Sequence, residues 1–289
     1  MRNVIERILE VPEPLYVEDV EFDKSSGLEI YINFTRGGMF ACSKCGKMCK
    51  VADTKQKTWK HLKIFQYDCY IHFRNPRTDC GDCGRLHWNP PWSRIGSKFT
   101  FLFEEHIMRL AREMPVSKIA ELVNEHDTRL WRIIKHYTNV AYAKKDFSEV
   151  VKVGCDETSS RKGHNYVTVF ADMKTRDVVY VTKGKNAQTI ERFALELPHH
   201  QADAKQITEI AIDMSTGFIS GANQHLSNAS ITFDKFHVIK ALNEAQDEVR
   251  RMEQKDNPLL KSSRYVWLKN PTNLTKAQTE QLEGLQKKT

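Results

Sequence analysis

No apolar run in this chain approaches the roughly 18 residues that cross a bilayer as a helix, and nothing near Met1 resembles the apolar block of a secretory signal. A helical membrane span is excluded, no membrane partner is expected, and the expected location is cytoplasmic. A disulfide framework is missing too. The chain has seven cysteines in 289 residues, and four of them stand in two close pairs, the pattern of metal ligation in a reducing compartment. Acidic residues fall short of basic ones, 37 against 44, for a formal net charge of +7 and a pI near 8.9. That excess favours a polyanionic partner such as nucleic acid, although a solvated basic surface reads the same way. With 40% hydrophobic residues the chain can bury a core, and its length suits two or three modules at about 150 residues each.

Residues 1 to 41 read as extended and hairpin-like, with Tyr16 to Phe22 and Leu28 to Phe34 alternating around the turn Lys24-Ser25-Ser26-Gly27. Two knuckles follow, Cys42-Ser43-Lys44-Cys45-Gly46 and Cys80-Gly81-Asp82-Cys83-Gly84. Each presents two thiolates to one ion, with a glycine that permits the tight backbone. Together Cys42, Cys45, Cys80 and Cys83 make the ligand set of a tetrahedral, structural zinc site. Between the knuckles Phe65, Tyr67, Cys69, Ile71 and Phe73 alternate with polar residues, the period of a half-buried strand. The arrangement predicts a zinc ribbon. Cys49 and Cys69 compete as ligands, but Cys69 belongs to the apolar strand face and Cys49 lacks a partner; His87 is a weaker substitute. Buried or free thiols are the bland alternative.

From Phe99 to Ala143 the period becomes helical. Phe99, Leu102, Phe103, Ile107 and Leu110 line a first helix, and Val116, Ile119, Ala120 and Val123 a second. A third opens at Asp127 and buries Leu130, Ile133, Ile134, Tyr137 and Ala141. Three short helices suit a helix-turn-helix. No acidic residue occurs from Thr128 to Lys145, while Arg129, Arg132, Lys135, Lys144 and Lys145 are basic. Thr128, Arg129 and Arg132 are therefore candidates for base edges and Lys135 for phosphate; a solvated helix face is the plain alternative. Trp131 reads as core ahead of DNA contact.

Three later apolar runs each end in a carboxylate: Val150 to Asp156, Ile210 to Asp213 and Ser230 to Asp234. With strands over Tyr166 to Asp172 and Asp177 to Val181, and helices over Ala187 to Leu197 and Phe236 to Met252, the order is three strands, helix, strand, helix, strand, helix. That predicts an α/β core, a mixed sheet with helices on both faces. Chemistry in such sheets collects beyond the strands' carboxyl ends, so Asp156 and Asp213 are expected to converge and to suit magnesium or manganese. Strand-end aspartates also cap helices and open turns as a matter of routine.

Cys155-Asp156-Glu157 with Arg161-Lys162-Gly163-His164-Asn165-Tyr166, Ile212-Asp213-Met214-Ser215, and Asp234-Lys235-Phe236-His237-Val238 resemble, in this order, the ISL3 family of bacterial insertion-sequence transposases. Met114-Pro115-Val116 and Asp127-Thr128-Arg129-Leu130-Trp131 resemble its helix-turn-helix. The resemblance runs from about the first cysteine pair to the C-terminus. It implies a ribonuclease H-like core with an Asp, Asp, Glu triad, in which Asp156 bridges two magnesium or manganese ions and Asp213 holds one. It also implies double-stranded DNA as partner, both element ends and target DNA, a homo-oligomer in the active complex, and a bacterial, nucleoid-associated location. Domains are expected at 1–97 (β-rich zinc ribbon), 98–145 (helix-turn-helix), 146–255 (the incomplete core) and 256–289 (the start of a helical insertion or a truncated tail). The family's third carboxylate lies on a late helix that this sequence is expected to stop short of. Asp234 is a possible substitute acid, while Glu157 is expected to point to the opposite face. The alternative reading is a non-catalytic zinc and helix-turn-helix regulator, or a truncated inhibitor.

Overall fold

The computed structural model describes residues 2–163 and 165–287. The chain divides into two compact units, residues 1–142 and 143–289.

The first unit opens with a short helix, α1 (Arg2–Ile8), where the sequence suggested extended chain. Tertiary packing supplies the reason: Ile5 enters the sheet's core, and the Glu6 carboxylate accepts the Val17 N–H at 3.0 Å. Strands β1 (Leu15–Asp23) and β2 (Gly27–Phe34) form the expected hairpin, followed by the two-residue strands β3 (Phe40–Ala41) and β4 (Met48–Cys49) that frame the first knuckle. A long hairpin, β5 (Val51–Ile64) and β6 (Tyr67–Cys80), and a short β7 (Gly84–His87) complete it. The order is β1-β2-β6-β5, with β7 also on β6 and only the β2–β6 pair parallel. Cys69, Ile71 and Phe73 alternate inward beside Ile30, Ile32 and Trp59. Phe65, expected on that face, sits instead in the β5–β6 turn at φ 55° and is 90% exposed, so the alternation begins at Tyr67.

Three helices follow, α2 (Phe101–Leu110), α3 (Val116–Val123) and α4 (Asp127–Tyr142). The Thr100 hydroxyl caps α2 by accepting the Phe103 N–H, so Phe99 lies before the helix and stacks on Phe103, while Leu102 faces out. Phe103, Ile107, Ile119, Val123, Leu130 and Ile133 form the helical core. Asn124 ends α3 in the left-handed region at φ 50°. Glu104, fully buried, ties the bundle together by accepting from Arg94 Nε (3.0 Å), Ser97 Oγ (2.6 Å) and Tyr137 OH (2.7 Å).

The second unit is a five-stranded sheet: β8 (Lys152–Arg161), β9 (Asn165–Asp172), β10 (Val178–Lys183), β11 (Glu209–Ile212) and β12 (Ser230–Phe233), ordered β10-β9-β8-β11-β12. The first three run antiparallel; β11 is parallel to β8 and β12 to β11. This is the mixed α/β sheet expected. The crossovers are α5 (Ala187–Glu196) and α6 (Thr216–His225), and they pack on each other so closely that a Cβ on Gly221 would lie 2.9 Å from the Ala187 backbone. They cover one sheet face, where Phe170 stacks on Phe193 at 4.4 Å. Helices on both faces are not found among the described residues: α7 (Lys235–Glu253) packs with α8 (Arg264–Leu268), which leads to α9 (Lys276–Gln286). Asp247 explains the pairing. It is buried on α7 and holds Arg250, Arg251 and, from α8, Arg264. The uncovered sheet face leaves Val178 and Val181 half exposed.

Candidate functional site

Val153, Ile210 and Ile212 are fully buried, which anchors β8 and β11 side by side. Their parallel register runs from Glu209↔Lys152 to Ala211↔Gly154, so two residues further on Asp156 and Asp213 stand level. Asp213 follows the end of β11, but Asp156, expected at a strand end, lies in the middle of β8, because pairing with β9 carries that strand on to Arg161↔Asn165. Beyond Ile212↔Phe233, Asp234 stands level with Asp213, its N–H donating to Ile212 O at 2.9 Å. The three acids thus form a row across three strands, each step about 4.8 Å. Each lends one oxygen to nearby backbone. Asp156 accepts the Glu157 N–H (2.8 Å), Asp213 the Ser215 N–H (2.9 Å), and Asp234 the Phe236 N–H (2.7 Å), which caps α7. Among the described residues, no three of these carboxylates close to within 4.8 Å of one another.

By strand alternation Glu157 belongs with Cys155 and Val153 on the opposite face, as expected. Even so it senses the row: burial raises its carboxyl above the usual range, and the charges of Asp213 and Asp156 raise it further, against Lys185 and His237. The neighbouring Cys155 thiol is pushed up by burial and is inert as a nucleophile. His164 lies outside the described residues.

On α4, the Thr128 hydroxyl and the two cations Arg132 and Lys135 are exposed at helical spacing along one face. Arg129 is already engaged: its Nη1 donates to Glu125 at 2.7 Å and its guanidinium lies 4.6 Å from the Phe99 ring centroid. Trp131, expected in the core, is 54% exposed beside Arg132. The correction has a simple cause. Leu130, Ile133 and Tyr137 already fill the inward stripe, and position 131 falls outside it. The helical period carried that signal; the general burial of tryptophan obscured it.

The Sγ atoms of Cys42, Cys45, Cys80 and Cys83 lie within 4.8 Å of one another. A tetrahedral zinc with Zn–S of about 2.3 Å sets its sulfurs about 3.8 Å apart, so these four thiols fit the ion. Knuckle N–H groups favour the thiolates: those of Cys45 and Lys44 lower Cys42, and those of Asp82 and Cys83 lower Cys80. Cys49 is buried alongside, but its Sγ faces Lys47 O at 3.2 Å. Cys69 lies in the sheet core, its thiol pushed up to about 12 by burial.

Comparison with known proteins finds three family models in chain order. Residues 39–83 match the zinc-finger of transposase IS204/IS1001/IS1096/IS1165, residues 89–138 the helix-turn-helix domain of transposase family ISL3, and residues 153–289 a model described as transposase. The chain is similar to the transposase for insertion sequence element IS1001 of Bordetella parapertussis, 29% identical over 285 residues that cover 93% of this chain and 68% of that protein. It is also similar to the transposase for insertion sequence element IS1557 of Mycobacterium tuberculosis, 23% identical over 329 residues covering 99% and 73%.

Proposed function

We propose that this chain is a transposase of the ISL3 insertion-sequence family, whose zinc-finger, helix-turn-helix and transposase models match it in chain order, and that its second unit is a ribonuclease H-like core that cuts and joins DNA at Asp156 and Asp213. The helix-turn-helix makes it a DNA-binding protein, and the four-cysteine zinc ribbon supports a structural zinc. No helix among the described residues is long and apolar enough to cross a membrane.

The observation that carries the catalytic reading is the strand register, which levels Asp156, within β8, with Asp213, just past the end of β11. Carboxylate oxygens of this kind suit magnesium or manganese, ions that in phosphoryl transfer stabilise charge on the attacking and leaving oxygens. Asp156 and Asp213 would hold them, and Asp234, level with Asp213, is the candidate for a third oxygen donor. Glu157, its carboxyl raised by burial and then by the same charges, is kept from the row by strand alternation. In the first unit Thr128, Trp131 and Arg132 would meet base edges and Lys135 a phosphate, while Arg129 holds α4 against Glu125 and Phe99. The working partition is 1–97, 98–145, 146–255 and 256–289, acting as a homo-oligomer on element ends and target duplex.

Nicking of supercoiled plasmid by the purified chain with manganese, at low salt, tests this. Asp156→Asn is expected to abolish nicking and retain DNA binding, and Asp234→Asn to lower nicking if that acid donates. Full nicking by Asp156→Asn removes the metal assignment. Absence of nicking by the unmodified chain, with binding intact, favours the non-catalytic DNA-binding reading.

A further inference from the structure

The zinc-ribbon sheet gathers a group of cations that the helix-turn-helix does not explain. The β5–β6 register is unbroken from Asp53↔Arg77 through Lys55↔Asn75 and Lys57↔Phe73 to Trp59↔Ile71. Lys55, Lys57 and Arg77 therefore share one face with the core residues Trp59 and Phe73, continuing it outward where the aromatic packing ends. The pair Arg77↔His87 brings His87 onto the same face. Lys98 runs along the outer side of β5, because its carbonyl accepts the Lys60 N–H at 2.9 Å.

Opposite charge is scarce there. The two acids of this face already have arginine partners: Arg77 takes Asp53 bidentately, with Nε at 2.6 Å from Oδ1 and Nη2 on Oδ2, and Arg85 lies 3.6 Å from Asp79, the next residue along that face of β6. Among the described residues no carboxylate lies within 4.0 Å of the Lys55, Lys57 or Lys98 ammonium. Elsewhere in the same unit lysines are paired: Lys47 with Asp82, Lys60 with Asp68, Lys118 with Glu121. The crowding is felt. Burial first, then Lys98 and Lys55, disfavour the Lys57 ammonium, and the His87 imidazolium is disfavoured by burial, then by Lys57, Arg77 and Lys55. His87 Nδ1 is buried with no hydrogen-bond partner. A cluster of like charges opposes folding in the free protein, and an arriving anion relieves it.

We propose that Lys55, Lys57 and Lys98, with Arg77 and His87 behind them, form a second DNA contact surface on the zinc-ribbon sheet that grips the backbone phosphates of the duplex read by α4. Two residues along a strand advance about 6.7 Å, a step comparable to that between successive phosphates on one DNA strand, so Lys55 and Lys57 match neighbouring phosphates. The surface is sequence-blind: lysine ammoniums act as point charges, and the edge strand offers no helix to enter the major groove. It rests on DNA as the partner and not on the strand-end chemistry.

The test is the salt dependence of duplex binding by the full, zinc-loaded chain, read by fluorescence anisotropy with duplex of unrelated sequence. Each phosphate contact contributes about 0.9 to the slope of log K against log salt. The Lys55→Ala, Lys57→Ala, Lys98→Ala triple variant is expected to lower the slope by about 2.7. The corresponding triple Arg variant keeps it, and Lys205→Ala leaves it unchanged. A triple Ala variant with native zinc content and an unchanged slope overturns the proposal. Where that variant loses its zinc, single Lys55→Gln and Lys57→Gln variants decide, each expected to lower the slope by about 0.9. A wild-type chain that binds no duplex at low salt sinks the DNA-binding premise itself, a different outcome from an unchanged slope.

Discussion

Trp131 shows what a single residue on a helix decides. Its indole stands 54% exposed on the α4 face that carries Thr128, Arg132 and Lys135, and an apolar ring in that position suits the methyl group of a thymine. Trp131→Ala is expected to lose about 1 to 3 kcal/mol of affinity for the element's own end and almost none for unrelated duplex. Competition binding with the two duplexes measures both; equal losses on both would make Trp131 a structural residue. Thr128 and Arg132 were legible as surface residues, since acidic residues are absent from Thr128 to Lys145. The engagement of Arg129 was not, because its partner ring, Phe99, lies thirty residues earlier and reaches it only through packing.

Between elements, one joint in the first unit is made by a buried lysine on an edge strand. Lys60 is 3% exposed, and its ammonium donates to Asn124 O at 2.8 Å, the residue that ends α3. Asp68 lies 3.6 Å from that ammonium and accepts from Asn124 Nδ2 at 3.1 Å, while Lys63 donates to Leu122 O at 3.1 Å. The β5–β6 hairpin therefore caps the carboxyl end of α3, where cations meet the free carbonyls of the helix. Removing one partner of a buried charge pair costs about 3 to 5 kcal/mol, so Lys60→Met is expected to lower the urea midpoint sharply. Lys63→Ala, at a side chain 38% exposed, should change stability by about 1 kcal/mol or less. Similar losses from both would show that Lys60 is no more than a surface cation. Sequence periodicity found α3 and, from Tyr67 on, the strand expected over Phe65 to Phe73; it has no term for a lysine of one element capping another.

At the scale of the whole molecule, metal and fold meet in one half of the chain. All four cysteines of the zinc cluster lie in the first compact unit, and the sheet that carries Asp156, Asp213 and Asp234 lies in the second. Where metal is bound only by the folded form, its removal destabilises that form. Calorimetry of the intact chain should show two transitions, of which a strong zinc chelator lowers one and leaves the other in place. One transition that moves as a whole would make the two units a single cooperative body.

Sequence alone determined whatever spacing within a few residues encodes. The paired Cys-x-x-Cys knuckles, the inward stripe of α4 from Leu130 to Tyr137 though not the expected Ala141, which is exposed, the β-branched runs that become β8, β11 and β12, and the excess of positive charge all depend on neighbours close along the chain. Tertiary structure decided what depends on register and packing between distant segments. Asp156 and Asp213 are 213 − 156 = 57 residues apart and become level through the β8–β11 pairing. Helix α1 forms where Ile5 finds a core, α7 leaves the sheet for Arg264 through Asp247, and the basic face of β5 exists because Arg77, His87 and Lys98 are folded beside it. Local periodicity states which way a side chain points; only the folded chain states what stands opposite it.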